Sequence, residues 1–309
     1  MPLALDESVR RAPILAATAR QRRRQREIFP LSLLAPAVLL VSLVSVLPIV
    51  YAIDVSLYRT FYLKRVEFIG LANYLELLRD PAFLNNLVRS LLFVFGSLAL
   101  AMPLATVLAL VLNQDLRART LFRTIIVLPW IMTQVVVALL WAWLYNMEYG
   151  PLNYIIRGLG FGAIEFLSDP GTSMLSLIVA NVWRSFPFPM VLVLAALQGV
   201  PLEVYEAAWT DGASTIACFF RITLPLIAST LLITTIVLSL QYFNLVTLIL
   251  VLTAGGPARA TETLSLRTFN EGFGYFHVGL ASAISVVIFL LNIVFSLLYM
   301  KVLRGDEGA

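Results

Sequence analysis

Long stretches without a charged side chain constrain the fold of this chain more than any other feature. Asp, Glu, Lys and Arg are absent from 28–53, 90–114, 124–147, 222–258 and 272–300. A bilayer core of about 30 Å needs about 20 apolar helical residues to cross it. Each stretch is therefore long enough to span a membrane. Only 13% of the residues are charged, against about 25% in soluble domains.

One further stretch, 170–202, is interrupted only by Arg184 and is interpreted as a span with an embedded charge. The run 222–258 could hold two short spans, but Gly255-Gly256-Pro257 supplies a turn that leaves one. We therefore predict an all-α polytopic membrane protein with six transmembrane helices. Their predicted bounds are 28–53, 87–112, 121–145, 172–197, 226–252 and 276–300.

Basic residues predict the orientation of the chain. Seven arginines occupy the arm 1–27: Arg10, Arg11, Arg20, Arg22, Arg23, Arg24 and Arg26. Under the positive-inside rule this arm stays in the cytoplasm, and with six spans the tail 304–309 lies there too. The pI near 9.3 is better explained by arginines that meet anionic lipid than by nucleic acid binding.

Several functional classes are excluded by missing residues. Cys218 and His277 are the only cysteine and histidine, so we expect no intrachain disulfide, no metal site and no catalytic residue set. A phosphate-binding P-loop needs Gly-Lys-Ser/Thr, whereas Lys64 follows Leu63 and Lys301 follows Met300. The chain itself is therefore not expected to hydrolyse ATP.

The predicted cytoplasmic segment 200–225 has the pattern of two helices joined by an elbow. Pro201 is suited to open the first helix, and Gly212 can end it in a left-handed cap. A second helix is expected from about Ser214 to Thr223, stopped by Pro225. Its mainly apolar stripe is Ile216, Phe219, Phe220 and Thr223. The residues alone leave two possibilities, a helix that docks on a partner protein and a loop that lies on the lipid interface.

Polar side chains recur at helical spacing inside two predicted spans. Asn181, Arg184, Ser185 and Phe188 share one face of the fourth helix, and Gln241 and Asn244 flank Tyr242 on the fifth. Aromatic rings with amide and hydroxyl groups suit a neutral polyol. Interhelical hydrogen bonding without any ligand explains them equally well.

Segment 200–225 also resembles the EAA loop of permease subunits from bacterial ATP-binding-cassette importers. That loop reads Glu-Ala-Ala, three residues, Gly, nine residues, Ile-x-Leu-Pro. This chain has Glu206-Ala207-Ala208, Gly212 and Ile222-Thr223-Leu224-Pro225 at the same spacing. The resemblance implies a type I importer fold, with the elbow as a coupling helix docked on an ATPase subunit through Glu206, Ala207, Ala208, Asp211 and Gly212.

The chain is most similar to permeases of the carbohydrate-importing branch. Asn181-Val182-Trp183 with Pro187-Phe188, and the run 252–257 (Leu-Thr-Ala-Gly-Gly-Pro), resemble segments of the larger subunit of maltose transporters. The resemblance implies sugar contacts at Asn181, Arg184, Ser185, Phe188, Leu238, Gln241 and Tyr242. Arg184 and Gln241 depart from that pattern, and the chain lacks the large external insertion. It is therefore more similar to permeases for trehalose, other oligosaccharides and glycerol phosphate.

The resemblance implies a multi-pass transmembrane domain, 28–303, in the bacterial cytoplasmic membrane that carries a sugar by alternating access. The implied partners are a second, related permease, an ATPase dimer and an extracytoplasmic solute-binding protein. The chain would bind no cofactor itself, and ATP and Mg would belong to the ATPase. A permease for glycerol phosphate or another polar solute is the alternative. A secondary transporter driven by an ion gradient is more distant, because the predicted spans contain no Asp or Glu to bind protons or ions.

Overall fold

The computed structural model describes residues 34–115 and 117–306, with side chains up to Lys301. The basic arm 1–27 and the last residues of the tail, 307–309, lie outside the described residues. The chain divides between Asp54 and Val55 into two compact units. Most of the first span lies in the first unit, and all other elements lie in the second.

Six apolar spans follow one another in the described part of the chain when each bent helix pair is counted as one span. Four are continuous: Leu34–Ser56, Pro81–Leu112, Thr215–Phe243 and Val278–Lys301. The third span consists of Arg119–Ile131 and Gln134–Leu144, bent by 99°, and the fourth of Pro170–Ser185 and Pro187–Gln198, bent by 45°. The prediction of six spans is confirmed on this count. The sixth helix continues to Asp306, beyond the predicted start of the tail.

The third and fourth spans were predicted as single helices over 121–145 and 172–197, and both are broken instead. Met132 and Thr133 are extended, with ψ of 142° and 150°, and the Thr133 hydroxyl accepts a hydrogen bond from the Val136 N–H as the next helix begins. In the fourth span Pro187 begins the second helix, because proline cannot donate the hydrogen bond that would continue the first. Pro103, by contrast, lies inside the unbroken second span.

The bounds predicted for the fifth span, 226–252, are wrong at both ends. The helix begins at Thr215 and continues past Pro225 to Phe243, so Pro225 does not stop the second elbow helix. A π-helical turn, Phe219–Thr223, immediately precedes the α-helical part Leu224–Phe243. The wider turn accommodates the proline, which would otherwise clash with the carbonyl four residues earlier. Beyond Asn244 a separate short helix, Thr247–Leu252, follows.

The segments at the opposite end of the spans from the elbow, here called the far end, contain a β-hairpin and short helices that were not predicted from the sequence. Strands β1 (Tyr58–Phe61) and β2 (Lys64–Phe68) form an antiparallel hairpin with a bulge between Arg59 and Thr60. The short helices at this end are Ala72–Arg79, Pro151–Gly158 and Leu264–Phe269.

Gly279 lets the hairpin lie against the start of the sixth span. Its N–H donates to Thr60 Oγ1 over 2.8 Å, and a Cβ at this position would lie 2.3 Å from the Tyr58 carbonyl oxygen. Any larger residue would therefore displace the hairpin.

The core of the second unit is built around the second span. Its small residues Ala101, Ala105 and Ala109, spaced four apart, are fully buried. Ala105 and Ala109 pack in one cluster with Met190, Val193 and Leu197 of the fourth span. Small residues at this spacing let two membrane helices approach closely. The second half of the fourth span is thereby fixed to the second span.

Candidate functional site

The bend of the fourth span carries four of the predicted ligand residues. Ser185 ends the first half, Pro187 begins the second, and Phe186 joins them. The Phe186 N–H still bonds to the Val182 carbonyl over 2.9 Å. The bend thus lies inside the predicted cluster Asn181, Arg184, Ser185 and Phe188.

Three of the predicted ligand residues form one buried hydrogen-bonded network. Asn181 Nδ2 donates to Ser97 Oγ over 3.1 Å, and Ser185 Oγ donates to the Asn181 carbonyl over 2.7 Å. The Ser185 and Tyr242 hydroxyls lie 2.6 Å apart. This network joins the second, fourth and fifth spans, as the interhelical interpretation requires. Asn181 Oδ1 is buried without a partner among the described residues.

The other predicted ligand residues differ in exposure. Leu238 is fully buried, Arg184 and Phe188 are half-buried, and Gln241 and Asn244 are exposed. The Nε of Arg184 is buried and has no hydrogen-bond partner in the described part of the chain. Asn244 Nδ2 donates to the Leu240 carbonyl over 2.8 Å. Arg184, Phe188, Gln241 and Asn244 therefore remain accessible in this conformation, whereas the buried network and Leu238 do not.

Two residues near the site were not predicted. Trp130 lies against Phe188, with ring centroids 5.7 Å apart, and Ser97 accepts the hydrogen bond from Asn181. The neighbouring Pro129 could have drawn attention to Trp130. Nothing around Ser97 in the sequence distinguishes it from other small residues of the second span.

The third and fourth spans are both broken into two helices. The two helices nearer the elbow contact each other, and so do the two helices nearer the far end. The elbow-end halves, Arg119–Ile131 and Pro187–Gln198, meet through Trp130 and Phe188 at one end and through Gln198 at the other. The far-end halves meet through the edge-to-face rings of Trp141 and Trp183, 5.8 Å apart. Helix breaks separate the two pairs, so both spans change direction at the level of the site.

The elbow has the helix-Gly-helix form that was predicted. Its first helix is Leu202–Thr210, and Gly212 follows with φ of +81°, the left-handed conformation that favours glycine. The Ala213 N–H donates a hydrogen bond to the Ala208 carbonyl over 2.9 Å. Ser214 caps the next helix by accepting a hydrogen bond from the Ala217 N–H.

The predicted coupling residues lie on the surface of the elbow. Glu206, Ala207, Asp211 and Gly212 are exposed, and Ala208 is half-buried. Large apolar side chains are exposed beside them: Trp209 (54%), Ile216 (72%) and Phe220 (60%). They help to line a largely apolar cavity of about 630 Å³ between the elbow and the end of the second span.

An ionic cluster stands at the far end. Arg267 Nη2 donates to Asp80 Oδ2 over 2.5 Å, and its guanidinium also lies 3.8 Å from Glu271 Oε1. Burial alone raises the pKa of Asp80, but the hydrogen bonds from Arg267 and the Ala82 N–H and the nearby arginine charges outweigh it. The net pKa of Asp80 is lowered from its ordinary value. Within the described residues, no group of three or more His, Cys, Asp or Glu is placed to hold a metal ion.

Comparison with known proteins places the chain in a transport family. The family model for the binding-protein-dependent transport system inner membrane component matches residues 82–304. A trehalose/maltose transport system permease protein of Thermococcus litoralis is 34% identical over 288 residues, which cover 93% of this chain and 97% of the relative. An sn-glycerol-3-phosphate transport system permease protein of Agrobacterium fabrum is 32% identical over 86% of this chain and 92% of the relative.

A solved structure shares the fold. A chain of a bacterial ABC transporter involved in import of the acidic polysaccharide alginate superposes with a TM-score of 0.77, at 21% identity. The match covers 93% of this chain and 98% of the other. A chain of a bacterial alginate ABC transporter in complex with an alginate pentasaccharide-bound periplasmic protein also gives a TM-score of 0.77, at 21% identity. This is the fold of an importer permease.

Proposed function

Because this chain belongs to the family of binding-protein-dependent transport system inner membrane components, we propose that it is the sugar permease subunit of an ATP-binding-cassette importer. Its cargo is a di- or oligosaccharide such as trehalose or maltose, carried by alternating access. One observation carries the proposal: the segment with EAA spacing folds as an exposed, capped elbow joined directly to the fifth span.

The elbow is suited to receive force from an ATPase subunit. The Tyr205 hydroxyl lies 3.0 Å from Thr223 Oγ1, so the first elbow helix is tied to the start of the fifth span. Glu206, Ala207, Ala208, Asp211 and Gly212 form the docking contact. ATP and Mg bind the separate ATPase dimer, and its closure moves the elbow as a rigid body. The two broken spans then let the elbow-end halves follow that motion.

The sugar contacts Arg184, Phe188, Gln241 and Asn244 first, because these residues are accessible. In the conformation that opens the site, Asn181, Ser185, Leu238 and Tyr242 separate from one another and add hydroxyl, amide and apolar contacts. A polyol needs such donors and acceptors beside an aromatic surface. The trehalose/maltose relative supports a sugar as cargo.

A phosphorylated polyol is the second candidate. The sn-glycerol-3-phosphate relative is nearly as similar, and the half-buried Arg184 could neutralise its charge. An ion-driven carrier is disfavoured, because the second to sixth spans contain no Asp or Glu to bind the coupling ion. The first span extends past its predicted end and includes Asp54, but only in its last turn.

In the assembled importer the arm, the elbow and the tail face the cytoplasm of a bacterial cell. A second permease lies opposite the exposed face that carries Gln241 and Asn244, with the sugar between the two subunits, and a solute-binding protein delivers sugar to the far end. The periplasmic protein in the alginate complex supports that last partner.

Co-expression with an ATPase subunit, a second permease and a solute-binding protein from the same organism tests the proposal. We expect an ATPase subunit and a second permease to co-purify with the tagged chain. Proteoliposomes should take up trehalose or maltose only with internal ATP and the external binding protein. Uptake by this chain alone without ATP would contradict the proposal, whereas ATP-dependent uptake of glycerol phosphate alone would select the second candidate.

A further inference from the structure

Two arginine side chains at the start of the third span converge on one neutral group. Arg119 and Arg123 lie one helical turn apart, and Gln198 is the last residue of the fourth span. With the Gln198 amide oxygen turned toward the guanidinium groups, it accepts hydrogen bonds from Arg119 Nη2 over 2.5 Å and from Arg123 Nη2 over 2.9 Å. One uncharged oxygen therefore holds two cations side by side.

No carboxylate balances this charge in the described part of the chain. Neither arginine belongs to an ion pair there, and both Nε atoms are buried without a hydrogen-bond partner. Each guanidinium has five N–H donors, far more than one amide oxygen can accept. Two half-buried like charges repel each other more strongly than they would in bulk water.

The helix that carries the two arginines adds to the excess of positive charge. Arg119 and Arg123 lie in the first turns of Arg119–Ile131, whose N-cap residue makes no side-chain hydrogen bond and whose first turn contains no acidic residue. The helix dipole contributes partial positive charge at this end. The two arginines thus occupy a position where an anion, not a cation, is electrostatically favoured.

The surroundings of the pair indicate where the anion comes from. Leu121, Phe122 and Ile125 of the same helix are exposed, as expected of a surface that meets lipid. We propose that Arg119 and Arg123 bind the phosphate of an anionic phospholipid at the elbow end of the membrane. The planar guanidinium groups suit paired hydrogen bonds to phosphate oxygens, and Gln198 keeps the two groups adjacent.

A phosphate bound to Arg119 and Arg123 would also affect the contact between the third and fourth spans beside the elbow. Gln198 lies shortly before Leu202, where the elbow begins. A phosphate between Arg119 and Arg123 removes their repulsion and so stabilises the contact of the third span with the end of the fourth. This inference concerns lipid binding and does not depend on which solute is carried.

Lipid retention by the purified protein tests the site. The full chain, co-purified with its transport subunits, is placed in nanodiscs of equimolar phosphatidylcholine and phosphatidylglycerol, and retained lipid is measured by native mass spectrometry. Each arginine near an anionic surface contributes about fivefold in affinity. We therefore expect Arg119→Gln with Arg123→Gln to lower the apparent affinity for phosphatidylglycerol by about 25-fold. Arg221→Gln, at an exposed cation in the second helix of the elbow, should lower it less than Arg123→Gln alone does.

Several outcomes decide the inference. Equal retention by wild type and the double variant would overturn it, and so would wild-type protein that shows no preference for phosphatidylglycerol. If the double variant does not fold, the wild-type preference and Arg123→Gln alone still provide the test. In phosphatidylcholine nanodiscs, inorganic phosphate that raises the melting temperature of wild type but not of Arg123→Gln would identify a soluble phosphate as the source. A response to neither lipid nor phosphate would point to a carboxylate of a neighbouring subunit and reject the site.

Discussion

The hydroxyl groups of Ser185 and Tyr242 lie 2.6 Å apart and join the fourth span to the fifth where the fourth span bends. Ser185 also donates to the Asn181 carbonyl, so its single proton is committed and Tyr242 donates to Ser185. The ring of Tyr242 packs against Phe93 of the second span, with centroids 6.2 Å apart. The bend is thereby held in this conformation by contacts on two sides.

Tyr242→Phe removes one hydrogen bond of this network and keeps the ring contact. We expect the free energy of unfolding to fall by about 0.5–1.5 kcal/mol, the net contribution of a typical hydrogen bond. Chemical denaturation of the purified protein measures the loss, and Tyr154→Phe, at an exposed tyrosine, is the control. Equal stability of the two variants would mean that the network does not hold the bend.

Gly212→Asp tests the elbow as the docking contact. The positive φ disfavours a side chain, and the added carboxylate would occupy the surface that meets the ATPase. We expect transport to be abolished while membrane insertion remains intact. Gly160→Asp is the matched control, because Gly160 has φ of +86° and open space around its Cβ position, as Gly212 does. Normal transport by Gly212→Asp in the uptake assay would argue against docking at this position.

Arg184→Lys and Arg184→Gln distinguish the two candidate cargoes. For a neutral sugar, recognition uses the hydrogen-bonding fork of the guanidinium, which lysine lacks. Both variants should then reduce kcat/KM for uptake by about 10-fold or more, the range for a hydrogen bond to a charged group. For an anionic cargo the positive charge matters most, so lysine should restore most of the activity that glutamine loses. Such a rescue would reject a neutral sugar.

Asp80→Asn tests the ionic cluster at the far end. The pKa of Asp80 is lowered in the folded state, so its ion pair with Arg267 stabilises the fold above the unfolded pKa of about 3.9. That contribution is lost only as the pH falls through the still lower folded pKa. We expect the free energy of unfolding of the variant to be lower by about 1–3 kcal/mol at neutral pH. Thermal melting is measured from pH 7 to pH 3. The difference in melting temperature between wild type and Asp80→Asn should be constant near neutrality and should narrow below about pH 4. A melting-temperature difference that widens as the pH falls would contradict a lowered pKa of Asp80 in the folded state.

Much of the architecture could be predicted from the chain alone. Apolar runs interrupted by charged loops identify spans because lipid offers no partner to a backbone polar group and requires helices there. The elbow was predictable for a similarly local reason, since Gly212 ends a helix through its own conformation. The breaks of the third and fourth spans were not predicted. Pro187 stands at the second break, but Pro129 lies inside its helix, before the first break at Met132 and Thr133. Pro103 and Pro225 do not break their helices, so a proline by itself does not decide between a kink and a break.

The candidate site shows the same division. Spacing predicted that Asn181, Arg184 and Ser185 share one helix face, because residues three and four apart do so, and all three lie near the end of the helix Pro170–Ser185. It could not show that Asn181 is hydrogen-bonded to Ser97 and Ser185 to Tyr242, whereas Arg184 stays accessible. Those contacts join residues 84 and 57 positions apart, and they depend on how separate helices pack.

The sequence by itself determined that this chain spans a membrane and carries an elbow, because hydropathy and local turn chemistry act over a few residues at a time. The tertiary structure decided which polar groups are paired, where the spans bend, and that Arg119 and Arg123 share Gln198. Side chains from different spans meet only when the helices pack, and the spacing of residues along one helix does not specify the partner on another.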